Sequence, residues 1–431
     1  MKPQPASTAY RSYVMFILVV VYTFNFIDRQ IVSILAVPIK ADLGLSDTQL
    51  GLMGGLAFAL FYTSLGIPVA MLADRWNRTW IMTGALTIWS AMTAACGFAQ
   101  NFWQLFAARL GVGIGEAGGV APAYSLVSDY FPPEQRGRAL SVYSFGIPIG
   151  SALGIVFGGV IASLVDWRYA FFAVGLAGIA IAPIFRLTVR EPRRGQFDSS
   201  SAEIAPVSLK TIVQQLSRKP SFWTMCLGGA FTSMIGYGLF FWLPSFFVRS
   251  YGMSLLDASL FFGAIVLIGG LAGIWIGGAL ADRYGQRNRS AYALIPAIAL
   301  LSTLPFYVVG VLSPSLVLTF FVLLVPTALG LVWLAPVIAA IQHMVQPNMR
   351  ATASAVFLFI NNLVGIGAGT VLFGALSDAL ESRFAENSLR YSILAGSVFY
   401  IVAAMFFIVA ARGLARDWEN GRDQTGQKRP V

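Results

Sequence analysis

Two acidic and two basic residues lie within long apolar runs of the chain, where charged side chains are rare. Asp28 and Arg29 are adjacent in one run, and Arg109 and Glu116 lie seven residues apart in another. A charge at the centre of a membrane helix costs about 2.5–3.5 kcal/mol on the insertion scale, so such residues usually have a function. These four side chains are therefore the candidates for proton transfer and for binding a charged substrate.

The positions of these residues on their helices predict how they meet. Adjacent helical residues point about 100° apart, so Asp28 and Arg29 need partners on other helices. Arg109 and Glu116 are about two turns apart and share one helix face. At 1.5 Å per residue, Asp28 lies about 18 Å and Glu116 about 21 Å from the outer ends of their runs, so the two acids lie at similar depth.

Two interpretations of this charged quartet stay open at this point. In the first, Asp28 or Glu116 carries a coupling proton. Arg29 and Arg109 then set its affinity, and the planar donor fork of Arg29 also binds an anionic headgroup. In the second, the quartet is a static ion-pair network that only fixes helix packing. We favour the first, because buried ion pairs are costly and add little net stability.

The composition defines the class of protein. Of the 431 residues, 57% are hydrophobic and only 11% are charged, whereas a soluble protein carries roughly 25% charged residues. The apolar runs are long and lack period-two alternation, which excludes a transmembrane β-barrel. We predict an all-α polytopic membrane protein with twelve transmembrane helices. They span residues 12–40, 48–72, 79–99, 102–130, 139–164, 169–189, 221–249, 254–280, 291–311, 315–344, 352–378 and 389–411.

The counts of some residue types exclude several kinds of site. Two cysteines and a single histidine, His343, leave no disulfide framework and no His-cluster metal site. We expect no cofactor and no enzyme activity. The net charge of +10 is scattered over short loops, which is typical of topology signals and not of nucleic-acid binding. The G-x-G-x-x-G pattern at 113–118 lies inside a membrane helix, where no nucleotide-binding unit can form.

The two halves of the chain repeat each other. The segment 73–78, after the second run, matches 278–287, after the eighth, and 133–139 matches 347–353. Duplicated six-helix halves with a site between them are typical of secondary transporters. We predict three parts. They are an N-terminal six-helix bundle at 1–190, a cytoplasmic linker with a short amphipathic helix at 191–219, and a C-terminal six-helix bundle with a cytoplasmic tail at 220–431.

The distribution of basic residues predicts the orientation in the membrane. Most of the 29 Lys and Arg residues fall in the termini and in the loops after even-numbered spans. The other loops carry only Lys40, Arg168, Arg249, Arg383 and Arg390. The positive-inside rule then places both termini in the cytoplasm. The short loops and the absence of a targeting peptide favour a multi-pass protein of a bacterial inner membrane.

The repeated loop resembles the signature of the major facilitator superfamily. In the first copy, Ala70 and Asn77 stand where two glycines are usual, and Asn77 tolerates a left-handed backbone nearly as well as glycine does. The resemblance implies two six-helix bundles whose first and fourth helices line a shared cavity. The second copy fits the signature at Gly278, Asp282, Arg283, Gly285 and Arg287.

Charged residues at the cytoplasmic ends of the spans are candidates for an inner gate. Asp side chains there can cap helix N-termini, and Arg side chains can pair across the two halves. The gate candidates are Asp74, Arg75, Asp129, Arg136, Asp282, Arg283 and Arg287.

Within the superfamily the chain resembles the Spinster family. Three stretches carry the resemblance: Asn-Phe-Ile-Asp-Arg at 25–29, Gly-Val-Gly-Ile-Gly-Glu-Ala at 111–117, and Asp-Tyr-Phe-Pro-Pro-Glu-Gln-Arg-Gly at 129–137. The resemblance implies proton-linked transport of lysophospholipids or of amphiphiles similar to sphingosine phosphate.

The C-terminal half lacks a comparable charged group, so its cavity candidates are amides and aromatics. Asn361 and Asn362 need polar partners in lipid. The aromatic side chains Tyr237 and Trp333 either contact substrate or serve as packing and interfacial anchors. We include these four, with Asn25, Arg29 and Arg109, among the substrate-binding candidates. His343 is interpreted as a packing residue, with pH sensing as the alternative.

The sequence predicts a proton-coupled secondary active transporter that moves amphiphilic, anionic, lysolipid-like substrates by alternating access. The alternative is a drug or small organic-anion exporter on the same fold. The expected partners are the substrate, protons and the lipid bilayer, with no nucleic acid, and we expect a monomer.

Overall fold

The structure is a computed structural model that describes residues 7–195, 197, 214–285, 288–345 and 349–418. Within these ranges every regular element is a helix. In the first half they are α1 (Thr8–Leu43), α2 (Asp47–Gly51), a π-helical turn (Leu52–Leu56), α3 (Ala57–Arg75), α4 (Arg78–Cys96), α5 (Phe102–Glu116), α6 (Val120–Tyr130), α7 (Pro133–Ser144), α8 (Gly146–Leu164) and α9 (Trp167–Thr188). In the second half they are α10 (Pro220–Tyr251), α11 (Leu255–Gly285), α12 (Ala291–Leu312), α13 (Leu316–Leu329), α14 (Leu334–His343), α15 (Arg350–Phe384), a 3₁₀ turn (Ala385–Asn387), α16 (Ser388–Ser397) and α17 (Phe399–Asp417).

The twelve predicted spans are all helical. Nine runs among the described residues are long and apolar enough to cross a membrane, and one of them, Thr352–Asp417, has 66 residues, enough for two crossings. The predicted third span is α4, in which threonines and Arg78 dilute the apolar residues. The predicted fourth span is divided into α5 and α6, of 15 and 11 residues. The structure confirms the predicted all-α membrane architecture.

Helix α1 lies against α8 through a row of glycines. A Cβ atom at Gly154 would come within 2.8 Å of the carbonyl oxygen of Ile27, and one at Gly150 would clash with that of Thr23. The two backbones are therefore in direct contact, which is common where small residues recur at every fourth position of a membrane helix. Because Ile27 contacts α8, the neighbouring Asp28 and Arg29 point toward other helices.

Helix α5 is held by glycines on two sides. A Cβ atom at Gly115 would lie 2.5 Å from the backbone nitrogen of Trp89 in α4, and one at Gly113 would lie 2.6 Å from the carbonyl oxygen of Phe58 in α3. Any larger residue would push α5 away from its neighbours. The glycines thus fix the depth and rotation of Glu116, the last residue of α5.

The same irregularity occurs in both halves of the repeat. The chain leaves the α-helix after Glu116, where the amides of Gly118 and Gly119 bond to carbonyls three residues earlier. In the second half it leaves the helix at Gly330, and Leu331 bonds to a carbonyl three residues earlier in the same way. Glu116 and Gly330 are 214 residues apart, which is also the offset between the repeated segments 133–139 and 347–353. The duplication therefore extends to a local backbone feature.

Backbone contacts divide the described residues into two compact units. The first holds those within Met1–Ser201, Gly236–Ile268 and Ile366–Gly396, and the second holds those within Ala202–Ile235, Gly269–Gly365 and Ser397–Val431. The division predicted at the linker 191–219 stays a prediction. Most of the predicted amphipathic helix of that linker lies outside the described residues.

Candidate functional site

The centre of the first unit contains an ion pair between α1 and α5. The Nε atom of Arg29 donates to Oε2 of Glu116 over 2.8 Å. The side chain of Arg29 is 10% exposed and that of Glu116 is fully buried. Arg29 therefore pairs with a residue of another helix and not with the adjacent Asp28, as helix geometry requires.

Aromatic rings surround the guanidinium group of Arg29. Its Cζ atom lies 5.0 Å from the ring centroid of Phe26, 4.7 Å from that of Phe58 and 4.6 Å from that of Tyr62. Such cation–π contacts contribute about 2 kcal/mol when the partners are desolvated. Phe58 and Tyr62 are four residues apart in α3 and so present both rings on one face. The rings of α1 and α3 hold the arginine in place for Glu116.

Asp28 and Arg109 lie beside this pair and complete the cluster. Both are 1% exposed, and Nη1 of Arg109 donates to the backbone carbonyl of Asp28 over 3.3 Å. The carboxylate of Asp28 is close enough to Arg109, Arg29 and Glu116 to interact with each of them electrostatically. Its Oδ1 atom, however, has no hydrogen-bond partner among the described residues.

The cluster is balanced in charge but incompletely hydrogen-bonded. Besides Oδ1 of Asp28, several buried polar atoms of the cluster have no partner among the described residues. They are Nη2 of Arg29, Nε of Arg109, Oε1 of Glu116, and both amide atoms of Asn25. A buried polar atom left unpaired costs about 1–3 kcal/mol. Each of these atoms can still form a hydrogen bond with a ligand or with water.

A small cavity joins the two arginines of the cluster. Its lining residues include both arginines, Tyr237 and Gln30, and none of them carries a carboxylate. The lining residues are Arg29, Gln30, Gly54, Phe58, Arg109, Tyr237, Phe241, Ile366 and Thr370. Three predicted substrate-binding residues, Arg29, Arg109 and Tyr237, thus border one donor-rich cavity.

Three other substrate-binding candidates, Asn361, Asn362 and Trp333, lie in the second unit. Ser233 donates to Oδ1 of Asn361 over 2.8 Å, and Asn361 is 4% exposed. Asn362 lies next to it, with its Oδ1 atom 3.4 Å from Nδ2 of Asn361. The ring of Trp333 packs edge-on against Phe357, with centroids 6.4 Å apart. Asn361 therefore has the polar partner that an amide in lipid needs.

The gate candidate Asp129 binds residues of its own unit. It forms an ion pair with Arg78, and its Oδ1 atom accepts from the backbone nitrogen of Gly195 over 2.9 Å. Arg78, which is 1% exposed, also binds Glu191 over 2.6 Å. This cluster connects the start of α4, the end of α6 and the segment after α9.

The remaining gate candidates are seen only in part. Arg136 donates to the carbonyls of Ser128 and Phe131, where α6 ends. Arg75 is exposed, and Arg283 is exposed with its guanidinium 5.6 Å from the ring centroid of Tyr284. The side chains of Asp74 and Asp282, and the whole of Arg287, lie outside what the structure describes.

Comparison with known proteins decides the family. Residues 18–370 match the model of the Major Facilitator Superfamily. The crystal structure of a bacterial homolog to the human lysosomal transporter Spinster, in an inward-facing and unoccupied conformation, superposes with a TM-score of 0.88. It is 33% identical, and the match covers 96% of this chain and 99% of that one. The chain is a Spinster-type member of the Major Facilitator Superfamily.

Curated relatives of this Spinster-type transporter include an MFS-type efflux pump of Mycolicibacterium smegmatis. That protein is 37% identical over 404 residues, which cover 93% of this chain and 92% of the pump. Protein spinster homolog 1 of Rattus norvegicus is 31% identical, over 89% of this chain and 76% of its own length. The family to which the chain belongs consists of transporters and not of enzymes, as the sequence predicts for this chain.

Sequence reasoning missed several residues that matter in this Spinster-type protein. The ring pair of Phe58 and Tyr62 has a detectable signal, because aromatic residues four apart share a helix face. Arg78 is the last residue of the first copy of the repeated loop. From the sequence alone it is one more basic residue on the cytoplasmic side. Asp47 and Arg249 lie at predicted span ends, where charge is ordinary, and the structure brings them together.

Proposed function

We propose that this chain is a proton-coupled secondary active transporter that moves amphiphilic, anionic, lysolipid-like molecules by alternating access. The observation that carries the proposal is the Arg29–Glu116 ion pair, buried in one cluster with Asp28 and Arg109. A buried carboxylate that competes with a substrate anion for the same arginine links proton binding to substrate binding.

The ion pair determines whether proton binding strengthens or weakens substrate binding. A proton on Glu116 removes its charge and releases the guanidinium of Arg29. An anionic headgroup then takes the place of the carboxylate on the planar donor fork. Proton binding and anion binding thus favour each other, and the effect is reciprocal. The proton and the anion move across the membrane in the same direction.

Asp28 is a second protonatable group beside the ion pair. Glu116 is hydrogen-bonded to a guanidinium, whereas the carboxylate of Asp28 has one oxygen without a partner among the described residues. Asp28 therefore receives or passes on the proton while Glu116 is paired with Arg29.

The amphiphilic nature of the substrate rests on the Spinster family and on the surroundings of the cluster. The donors of Arg29 and Arg109 offer a headgroup site, and the rings around Arg29 offer apolar surface next to it. We place the protein, as a monomer, in the cell inner membrane with both termini cytoplasmic, because that orientation satisfies the positive-inside rule.

The test is uptake of a labelled lysophospholipid into proteoliposomes, with and without an imposed pH gradient. Wild-type protein is expected to accumulate the lipid in the direction of the proton gradient. Glu116→Gln is expected to lose this accumulation and to keep exchange of labelled for unlabelled lipid, because exchange needs no net proton transfer. Lipid transport that is independent of pH would contradict the proposal that transport is coupled to protons.

The second candidate function is export of drugs or small organic anions, which the similarity to the efflux pump of Mycolicibacterium smegmatis favours. A cationic drug would pair with Glu116 itself and displace the proton. Drug and proton would then move in opposite directions. The direction of the pH effect, measured with a cationic drug in the same vesicles, separates export of cationic drugs from transport of anions.

A further inference from the structure

Arg186 has no polar partner among the described residues. It occupies the last turn of α9, and its side chain is partly buried. Its guanidinium forms no ion pair and no hydrogen bond with any described residue, and its Nε atom is shielded from solvent. A charged donor that is covered but unpaired costs free energy. Arg186 is therefore suited to bind an anion that comes from outside the chain.

The indole ring of Trp80 holds this guanidinium in place. The Cζ atom of Arg186 lies 4.3 Å from the ring centroid, so the two side chains bridge the end of α9 and the start of α4. The ring attracts the cation, but it supplies no oxygen acceptor for the N–H donors. Trp80 is itself 58% exposed. The pair thus forms an ordered cationic surface with free donors.

The surface around this pair is apolar and uncovered. Leu187, next to Arg186, is 82% exposed, and Ile184 and Leu176 continue the exposed apolar strip along α9. In a membrane protein such a strip contacts the acyl chains of lipids. Trp76, just before α4, is also exposed, and tryptophan is enriched at the level of the lipid headgroups. The guanidinium therefore lies where a phospholipid has its phosphate, at the predicted cytoplasmic end of the span.

Further basic side chains lie at the same end of the first unit. Arg75, at the end of α3, and Arg193, after α9, are both exposed. Two acids of this end, Asp129 and Glu191, already form ion pairs with Arg78. The exposed arginines attract the negative surface of a membrane that contains anionic lipids.

The packing of α4 against α9 keeps a ligand of Arg186 on the outer surface. A Cβ atom at Gly175 would lie 2.5 Å from the backbone nitrogen of Ala94, and one at Gly178 would clash with the hydroxyl of Ser90. The two helices leave no room between them at these positions. A ligand that touches both Arg186 and Trp80 therefore lies across the surface where α9 ends and α4 begins.

We propose that Arg186 and Trp80 bind the phosphate group of an anionic phospholipid in the cytoplasmic leaflet. The planar donors of Arg186 match two phosphate oxygens, and an acyl chain follows the apolar strip of α9. The exposed arginines nearby favour a headgroup with net negative charge over a zwitterionic one. This lipid is a neighbour of the transporter in the membrane and not its substrate, so the site is independent of the proposed function.

The experiment measures lipid binding to the full-length protein in detergent, by native mass spectrometry and by thermal unfolding. Phosphatidylglycerol is compared with phosphatidylcholine that has the same acyl chains. Phosphatidylglycerol is expected to bind about tenfold more tightly and to raise the melting temperature by more, because a ligand that binds only the folded state stabilises it. Inorganic phosphate at the same concentration is expected to give no rise, because it has no acyl chain.

Two variants and a matched control locate the site. Arg186→Gln is expected to weaken phosphatidylglycerol binding about tenfold, because it loses charged hydrogen bonds to the phosphate. Trp80→Leu keeps the charge and is expected to weaken binding by a smaller factor. Arg168→Gln is the control. Arg168 also stacks on a tryptophan, with its Cζ atom 4.2 Å from the ring centroid of Trp167, but it already pairs with Asp42 over 2.7 Å. Its loss should leave the lipid affinity unchanged.

Three outcomes overturn the proposal. The first is phosphatidylglycerol binding that is unchanged in folded Arg186→Gln. The second is equal weakening in Arg168→Gln, which would indicate general loosening of the protein. The third is an equal rise in melting temperature with inorganic phosphate, which would make the ligand a free anion. If Arg186→Gln fails to fold, Trp80→Leu carries the test at an exposed position, and unchanged binding in that variant would equally contradict the site.

Discussion

The Nε atom of Arg29 lies 2.8 Å from Oε2 of Glu116, and this contact joins the first helix to the point where the fourth predicted span is broken. Glu116 ends α5, and the three residues after it leave the α-helix. The carboxylate is thus attached to backbone that can change shape without moving a whole helix. In the proposed mechanism, protonation of Glu116 releases Arg29 next to this helix break.

The rings around Arg29 predict an effect on substrate binding. Phe58→Leu removes one ring, and the KM for an anionic substrate should rise about tenfold, because a desolvated cation–π contact contributes about 1–2 kcal/mol. Tyr62→Phe keeps its ring and serves as the control, with a smaller rise. Initial uptake rates at fixed pH give both values. An unchanged KM in folded Phe58→Leu would show that the ring does not position the arginine.

The glycine contacts predict a pattern of stability. Gly150→Ala places a methyl group against the carbonyl of Thr23, so it should destabilise the protein by about 1–3 kcal/mol. Gly84→Ala in α4 has no atom within 4 Å of the added carbon and should be neutral or slightly stabilising. Thermal unfolding in detergent compares the two. Equal melting temperatures would contradict the direct contact of α1 with α8.

The Arg78–Asp129 pair predicts a loss of stability and not of coupling. Removing one partner of a buried ion pair costs about 3–5 kcal/mol. Asp129→Asn should therefore lower the melting temperature strongly while the folded fraction keeps its response to a pH gradient. Arg75→Gln, at an exposed side chain, is the control and should leave the melting temperature unchanged. A stable Asp129→Asn protein with altered coupling would favour a gate over a structural pair.

The charged cluster of Asp28, Arg29, Arg109 and Glu116 could be predicted largely from the sequence, because charged residues inside membrane helices are few. Helix geometry excluded pairing of Asp28 with Arg29 and placed Glu116 at the depth of Asp28. Which acid pairs with which arginine could not be derived, since that depends on how far α1 and α5 are rotated. The glycines that set this rotation act through the residues they face, such as Ile27 and Trp89, which the sequence does not reveal.

The ion pairs of Asp47 with Arg249, at 2.6 Å, and with Lys40, at 2.8 Å, could not be predicted from the sequence. Lys40 and Arg249 lie at the ends of predicted spans, where a basic residue usually marks topology or an interface. Asp47 is separated by about 200 residues from Arg249, and no periodic pattern links them. Only the packing of α2 against α10 and α15 brings these charges together. The breaks after Glu116 and at Gly330 were likewise invisible, because each lies in an apolar run long enough for a single helix.

The central claim is that Glu116 carries the coupling proton, and one measurement tests it most directly. Lysophospholipid uptake and lysophospholipid exchange are measured in parallel in proteoliposomes containing wild-type protein or Glu116→Gln. Wild-type uptake is expected to follow the proton gradient, whereas Glu116→Gln is expected to exchange lipid at a rate near that of wild type and no longer to respond to the gradient. A Glu116→Gln protein that still accumulates lipid along the proton gradient would contradict the account.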